Sequence, residues 1–473
     1  MRDLVCEQVR GVAGNPATPS ELLLRMLDDS DAGVAVLIFR NALPDDFCAA
    51  VAAHPDRRVR AALADSASAT PHQRALLVDD PAPMVRILLA HGPDLFRATP
   101  APLPEETYAR LAADPDQRVR DEVAGSRQCP VHVRARMVED PDPEVRVSGY
   151  AGWVDPPDDL TDRLLTDPDP RVRDAVARRA WRRRPELLAG VLDAAWSDPW
   201  WLRDLAVEIP LARTVAQRLA RHQDRDVRAA VAENPHLPRD LVEELATDPD
   251  PTVRLRLSLR PGLTEAERAA VDYEVRPETR LRPARWVLDR LGDPDALDGA
   301  VRSAHVGLRR SAAYSPNLRP DQVARLAGDD DFAVRLLLGE HHDEVPGELL
   351  LATYLEAQVI TASMLIARPN FPRVGLARLA DSADPRARML VRYDPEAPAE
   401  LIDRLSRDAD GGVRSWMASD PRLAAGRLAE LLDDPAAAGS AARNPNLPVP
   451  LMERILAGAG ILPASTGSAA REV

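Results

Sequence analysis

Residues 227–250 read VRAAVAENPHLPRDLVEELATDPD, and Val253 then opens the same pattern again. Val227 and Val231 fall four apart, so they share one face of a helix. Asn234-Pro235 ends that helix, because the residue before a proline is pushed out of the α region. A second helix follows Pro238, with Leu241, Val242 and Leu245 forming an apolar stripe at spacings of three and four. Asp248-Pro249 prepares the next start: an acid able to accept from an orphan amide, beside a proline whose fixed φ suits a first turn. Helices of about eight residues are unstable alone in water. Such a unit persists only when stacked on its neighbours.

The pattern recurs along nearly the whole chain. Anchors stand at Val9, Val34, Val59, Val85, Val119, Val145, Val172, Leu202, Val227, Val253, Leu308, Val334, Thr361, Ala387, Val413 and Ala437, with a degenerate copy near Arg280. About eight extra residues, around Phe96 to Leu103, interrupt the period between Val85 and Val119. The expectation is an all-α solenoid of about seventeen short two-helix repeats over residues 1–457, with no β-sheet. Its atypical copies lie near 86–104, 178–201 and 262–300. The tail 458–473, GAGILPASTGSAAREV, lacks the period and is expected to be disordered.

Composition agrees with thin helical layers. Aromatic residues make up only 4% of the 473, which does not suit a large globular core. The 44 prolines recur at fixed offsets, as punctuation between short helices. All 61 basic residues are arginine, a bias shared with abundant Ala, Gly and Pro that carries little functional meaning. The net charge of −14 argues against broad contact with phosphate backbones. No apolar run approaches the length of a membrane span, and the N-terminal MRDLVCEQVR lacks an apolar stretch before a small-residue cleavage site, so no secretion signal is expected. Cys6, Cys48 and Cys129 are isolated, as expected of a chain in a reducing cytoplasm.

The segments NPHLPRDLVEELATDPDPTVR (234–254) and RNPNLPVPLMERIL (443–456) resemble the leucine-rich repeat variant family. That resemblance implies a right-handed superhelix of short helices, alternating α and 3₁₀. HEAT-type units, the nearest alternative, are longer, about 40 residues. The best-known member of the family carries a cysteine cluster holding an iron–sulfur centre. This chain has no such cluster, so no cofactor is carried over.

The arginine after the anchor recurs as Arg10, Arg60, Arg86, Arg120, Arg146, Arg173, Arg228, Arg254, Arg335, Arg388 and Arg414. Stacking would align these as a ladder, either a track for phosphates or a set of internal partners for the equally regular aspartates. The internal reading is the expectation. The sharpest irregularity is Arg178 to Trp201, RRAWRRRPELLAGVLDAAWSDPWW. It gathers Arg178, Arg179, Arg182, Arg183 and Arg184 with Trp181, Trp196, Trp200 and Trp201. Trp and Arg dominate binding hot spots and also stack bases, but tryptophans equally fill a wider core. At least two exposed tryptophans would favour a partner-binding patch; four buried ones would favour core.

Glu340-His341-His342-Asp343-Glu344 offers metal-capable side chains without the spacing that turns two of them to one side. It reads as a solvated loop, and Cys129 reads as a small core residue. Nucleophile elbows, phosphate-binding glycine loops and dinucleotide fingerprints are absent. The expectation is a non-enzymatic, monomeric scaffold that binds another protein through an extended repeat surface. The alternative is a nucleic-acid-binding protein related in architecture to HEAT-like DNA glycosylases, which the acidic balance opposes.

Overall fold

A computed structural model describes residues 2–93, 100–196, 198–208, 210–276, 279–356 and 362–462. Every regular element among the described residues is a helix. Of the anchors, Val59, Val85, Val119, Val145, Val172, Leu202, Val227, Val253, Leu308, Val334, Ala387, Val413 and Ala437 are buried, as is Val9. Val34 is half-buried, and Thr361 lies outside the described residues. Part of the 96–103 insertion lies outside them too.

Helix starts follow the D-P-D corner, with the two aspartates exchanging the roles expected of them. The second aspartate is the cap: Asp116, Asp142, Asp169 and Asp250 accept from the amides of Arg118, Glu144, Arg171 and Thr252. The capping residue directly precedes the first helical position, which is a proline in three of these helices, Pro143, Pro170 and Pro251, and Gln117 in the fourth. The first aspartate instead accepts from the amide of the second, as Asp140 does from Asp142 at 2.9 Å. Its remaining oxygen lone pairs are left for the arginine ladder.

The second segment of most repeats is α-helical, as in Arg239–Ala246. Geometry of the 3₁₀ type is confined to Met26–Asp28, Pro185–Leu187, Leu376–Leu379 and Val391–Tyr393 among the described residues. The α and 3₁₀ alternation implied by the family resemblance is therefore not general here. Seven or eight residues with leucines three and four apart are enough for full α turns.

The chain forms two compact units, residues 1–187 with 374–473, and residues 188–373. In the first unit, first helices pack in the order 385–390, 411–418, 438–443, then 2–14, 30–39 and 57–64, continuing to 170–180. The N-terminal repeat thus stacks on the C-terminal one. Gly11 makes that approach possible, since a Cβ there would lie 2.3 Å from the Gly439 carbonyl oxygen and 2.5 Å from the Ala442 Cβ. The second unit stacks 199–208 on 225–233 and that on 251–258, followed by the short helices of the degenerate copy, Glu265–Ala270 and Arg285–Leu288.

The start of the expected disordered tail is ordered. Helix Val449–Gly458 ends on Gly460 at φ 84°, with the Ile461 amide bonded to the Leu456 carbonyl at 2.9 Å and Ile461 buried. A left-handed glycine with this 6→1 bond is a Schellman cap. Residues 463–473 lie outside the described residues.

Candidate functional site

Two ladders of polar side chains run through the stacked layers. In the first, most of the arginines after an anchor straddle two corners, whereas Arg254 pairs with the exposed Asp272 and Arg335 with Glu356. Arg120 donates Nη1 to the Asp114 carbonyl at 2.8 Å, and Nε and Nη2 to the Asp140 carboxylate at 2.8 and 3.0 Å. Arg146 repeats this with the Asp140 carbonyl and the Asp167 carboxylate, and Arg60, Arg86, Arg228, Arg309, Arg388 and Arg414 do likewise with Asp80, Asp114, Asp248, Asp329, Asp408 and Asp434. These are bidentate, mostly buried pairs. The guanidinium holds the carboxyls of Asp167, Asp408 and Asp434 below the usual carboxylate range. The ladder is internal, and its arginines are not presented to a phosphate.

Arg10 does not join it. It is exposed and pairs with Glu7 at 2.6 Å. Asn15 follows Val9 by six residues, whereas Asn234 follows Val227 by seven, so the true anchor register of the first repeat is one residue earlier.

The second ladder was not anticipated as such. The residue before the repeat's proline reaches back to carbonyls of the preceding layer. Asn234 donates to Ala206 at 2.6 Å, and Asn444 to Ala418 and Asp420 at 2.8 and 2.7 Å. Ser66 donates to Leu37 and Ser315 to Leu291 at the same position. These carbonyls are the orphan acceptors at a helix C-terminus.

The nine residues of the Arg/Trp stretch divide between the units. Arg178, Arg179, Trp181, Arg182, Arg183 and Arg184 belong to the first, and Trp196, Trp200 and Trp201 to the second. Arg179 donates to the Trp153 carbonyl at 2.7 Å, Arg183 pairs with Asp155, and Arg184 pairs with Asp162. Arg182 stacks over the Trp181 ring at 5.1 Å, and Trp181 itself is 2% exposed. In the second unit Trp201 is 6% exposed, and Trp196 is half-buried beneath the Arg218 guanidinium, 3.8 Å from its ring centre. Trp200 alone of the four projects fully, at 70% exposure. Two tryptophans are core, one is sandwiched and one is free to meet a partner.

One buried contact resembles a nucleophile beside its base. Ser258 Oγ lies 2.8 Å from His305 Nε2. The Gly307 amide, however, donates to His305 Nδ1 at 3.0 Å, so the neutral ring carries its proton on Nε2. The imidazole therefore donates to Ser258, whose own hydroxyl donates to the Leu255 carbonyl at 2.6 Å. Burial, with the nearby Arg268, pushes the imidazole down to about 4. The proton runs the wrong way for general-base catalysis. His305 caps its helix and stacks on Tyr273 at 4.3 Å.

The Glu340–Glu344 cluster is dispersed by its helix end. Glu340 is buried, His341 bonds the Leu337 carbonyl and packs on Tyr314, His342 accepts from the Glu344 amide, and Asp343 pairs with Arg368. Among the described residues no group of three or more His, Cys, Asp or Glu side chains is placed to hold a metal ion, and no helix is long and apolar enough to cross a membrane. Cys129 is buried, with its thiol pushed up to about 11 by desolvation.

The model of the leucine rich repeat variant family matches residues 225–250, the stretch from which the repeat was read. The helical repeat architecture on both sides of that match is consistent with it. No curated protein matches the chain.

Proposed function

We propose that the chain is a non-enzymatic protein-interaction scaffold, built as a right-handed stack of about seventeen repeats. The observation that carries the reading is the inward direction of both polar ladders, which are bonded to neighbouring layers rather than offered to a ligand. Recognition then falls to the side chains that project from the layers, Trp200 first among them, because tryptophan is enriched at binding hot spots. The Arg178–Arg184 segment is the second candidate contact, its arginines steering an acidic partner. Free thiols at Cys6, Cys48 and Cys129 support a cytoplasmic location. The two chain-terminal repeats cover each other's stacking faces, which supports a monomer.

The nucleic-acid reading gains no specific support, since the repeated arginines are matched by carboxylates of the same chain. The test is affinity capture on the intact chain from its native cell, with Trp200→Ala and Arg182→Glu/Arg183→Glu variants as controls. A protein captured by the wild type and lost by a folded variant supports the scaffold. Capture that depends only on nucleic acid, and disappears with nuclease, contradicts it.

A further inference from the structure

The degenerate copy at 262–300 leaves a cavity of about 500 Å³ in the second unit, between the ends of helices 199–208, 225–233 and 251–258 and the short helix Arg285–Leu288. That volume lies within the range of small-molecule sites, about 300–1,000 Å³. The wall is apolar where Val207, Leu259 and the Trp286 ring face it, and Trp286 is fixed by its Nε1 bond to the Leu259 carbonyl at 2.9 Å.

Arg260 lines the same cavity, at the repeat position that Asn234 and Asn444 hold in other layers. Like them it reaches back to the preceding layer, donating Nη2 to the Pro235 carbonyl at 3.2 Å. Unlike them it carries a charge. The residue is 7% exposed, its Nε donates to the Pro261 carbonyl at 3.4 Å, its Nη1 is buried with no hydrogen-bond partner, and no carboxylate among the described residues pairs with it. The acids of the lining are engaged elsewhere, Glu233 with Arg256 at 3.1 Å and Asp289 with Arg285 at 3.7 Å. Arg239 and Arg268 lie nearby but carry their own carboxylates, Glu243 and Glu267 for the first and Glu265 for the second. A buried guanidinium without a counter-charge is costly, and an asparagine would have made the backbone contact without that cost.

We propose that this cavity binds a small organic carboxylate with a flat apolar body, its oxygens on Arg260 and its body against Trp286. A carboxylate supplies the counter-charge that the Arg260 guanidinium lacks, and Arg290, which also lines the cavity, lies 5.4 Å from the Trp286 ring centre.

The probes are naphthalene-2-carboxylate and its uncharged isostere, naphthalene-2-carboxamide, followed on the full chain by calorimetry and saturation-transfer NMR. The carboxylate binds saturably and about tenfold or more tighter than the amide, as a charge-assisted contact requires. Arg260→Met abolishes that preference, because it removes the charge that the carboxylate meets. Equal binding of the two probes, no saturable binding of the acid, or a preference that survives in Arg260→Met overturns the proposal. The probe comparison on wild type stands even if the variant fails to fold.

Discussion

Asn15 stands to Asn444 as Asn444 stands to Asp420. Its Nδ2 donates to the Asn444 carbonyl at 2.6 Å and to Ala442 at 2.9 Å, just as Asn444 donates to Asp420 at 2.7 Å and to Ala418 at 2.8 Å. The first repeat of the chain is therefore joined to the last by the same bonds that join the last to its own predecessor. The remaining oxygen of Asn15 accepts from the Ala17 amide at 2.8 Å, as Asn444 accepts from Asn446 at 2.9 Å.

Replacing this asparagine with leucine leaves one buried carbonyl without a donor, that of Ala442 or Ala418, while the Asn444 and Asp420 carbonyls keep the Leu447 and Leu423 amides; the cost is about 1–3 kcal/mol. Asn15→Leu and Asn444→Leu are expected to destabilise the first unit by similar amounts, read as shifts in urea midpoint. A harmless Asn15→Leu beside a costly Asn444→Leu would show that the N-terminal repeat has no layer beneath it.

The corner pairs make a prediction of opposite kind for single and double variants. Arg146→Met strands the buried Asp167 carboxylate and is expected to cost about 3 kcal/mol. Adding Asp167→Leu should restore most of that loss, measured as a double-mutant cycle. Because the folded carboxyls of Asp167, Asp408 and Asp434 titrate below the unfolded value, their contribution is complete above about pH 4 and is lost as pH falls through the folded values.

His305 governs a higher window. Its folded imidazole is held down to about 4, while the unfolded one titrates near 6.5. The unfolded state thus binds more protons between these values, and stability falls as pH drops from about 6.5 to about 4, by about 3 kcal/mol in all. His305→Gln should flatten melting temperature against pH in that window alone. An unchanged slope would assign the loss to another group.

Much of this was legible in one repeat, and the exceptions have physical reasons. Val227, Leu241 and Asp248 announce their helices by spacing alone, because the apolar period and the proline positions are local signals. Which of two aspartates caps and which takes the arginine is not set by residue type, since both chemistries suit either residue until the layers are stacked. Arg179 and Arg183 read as a free basic run, for their acceptors, the Trp153 and Pro156 carbonyls, lie one layer back in the stack. The joint at Asn15 is invisible in sequence, because an asparagine before proline looks the same whatever lies beneath it. Arg260 was open to detection as the charged residue in an asparagine position, had that position's reach been known.

The joint between the terminal repeats is tested most directly by a distance. Cys6 is an exposed thiol on helix Arg2–Gly14, whereas Cys48 and Cys129 are buried with thiols pushed up to about 12 and about 11, so only Cys6 labels readily at neutral pH. A second cysteine at exposed Glu453, on helix Val449–Gly458 that packs against the first, completes a spin-label pair. Packed helices lie about 8–10 Å apart, so the pair should give one narrow distribution below about 30 Å by pulsed dipolar spectroscopy. Gly11→Val, which drives a side chain into the Gly439 backbone, should broaden and lengthen it. A wild-type distribution beyond about 50 Å, as for ends separated by many layers about 9 Å thick, would contradict the joint.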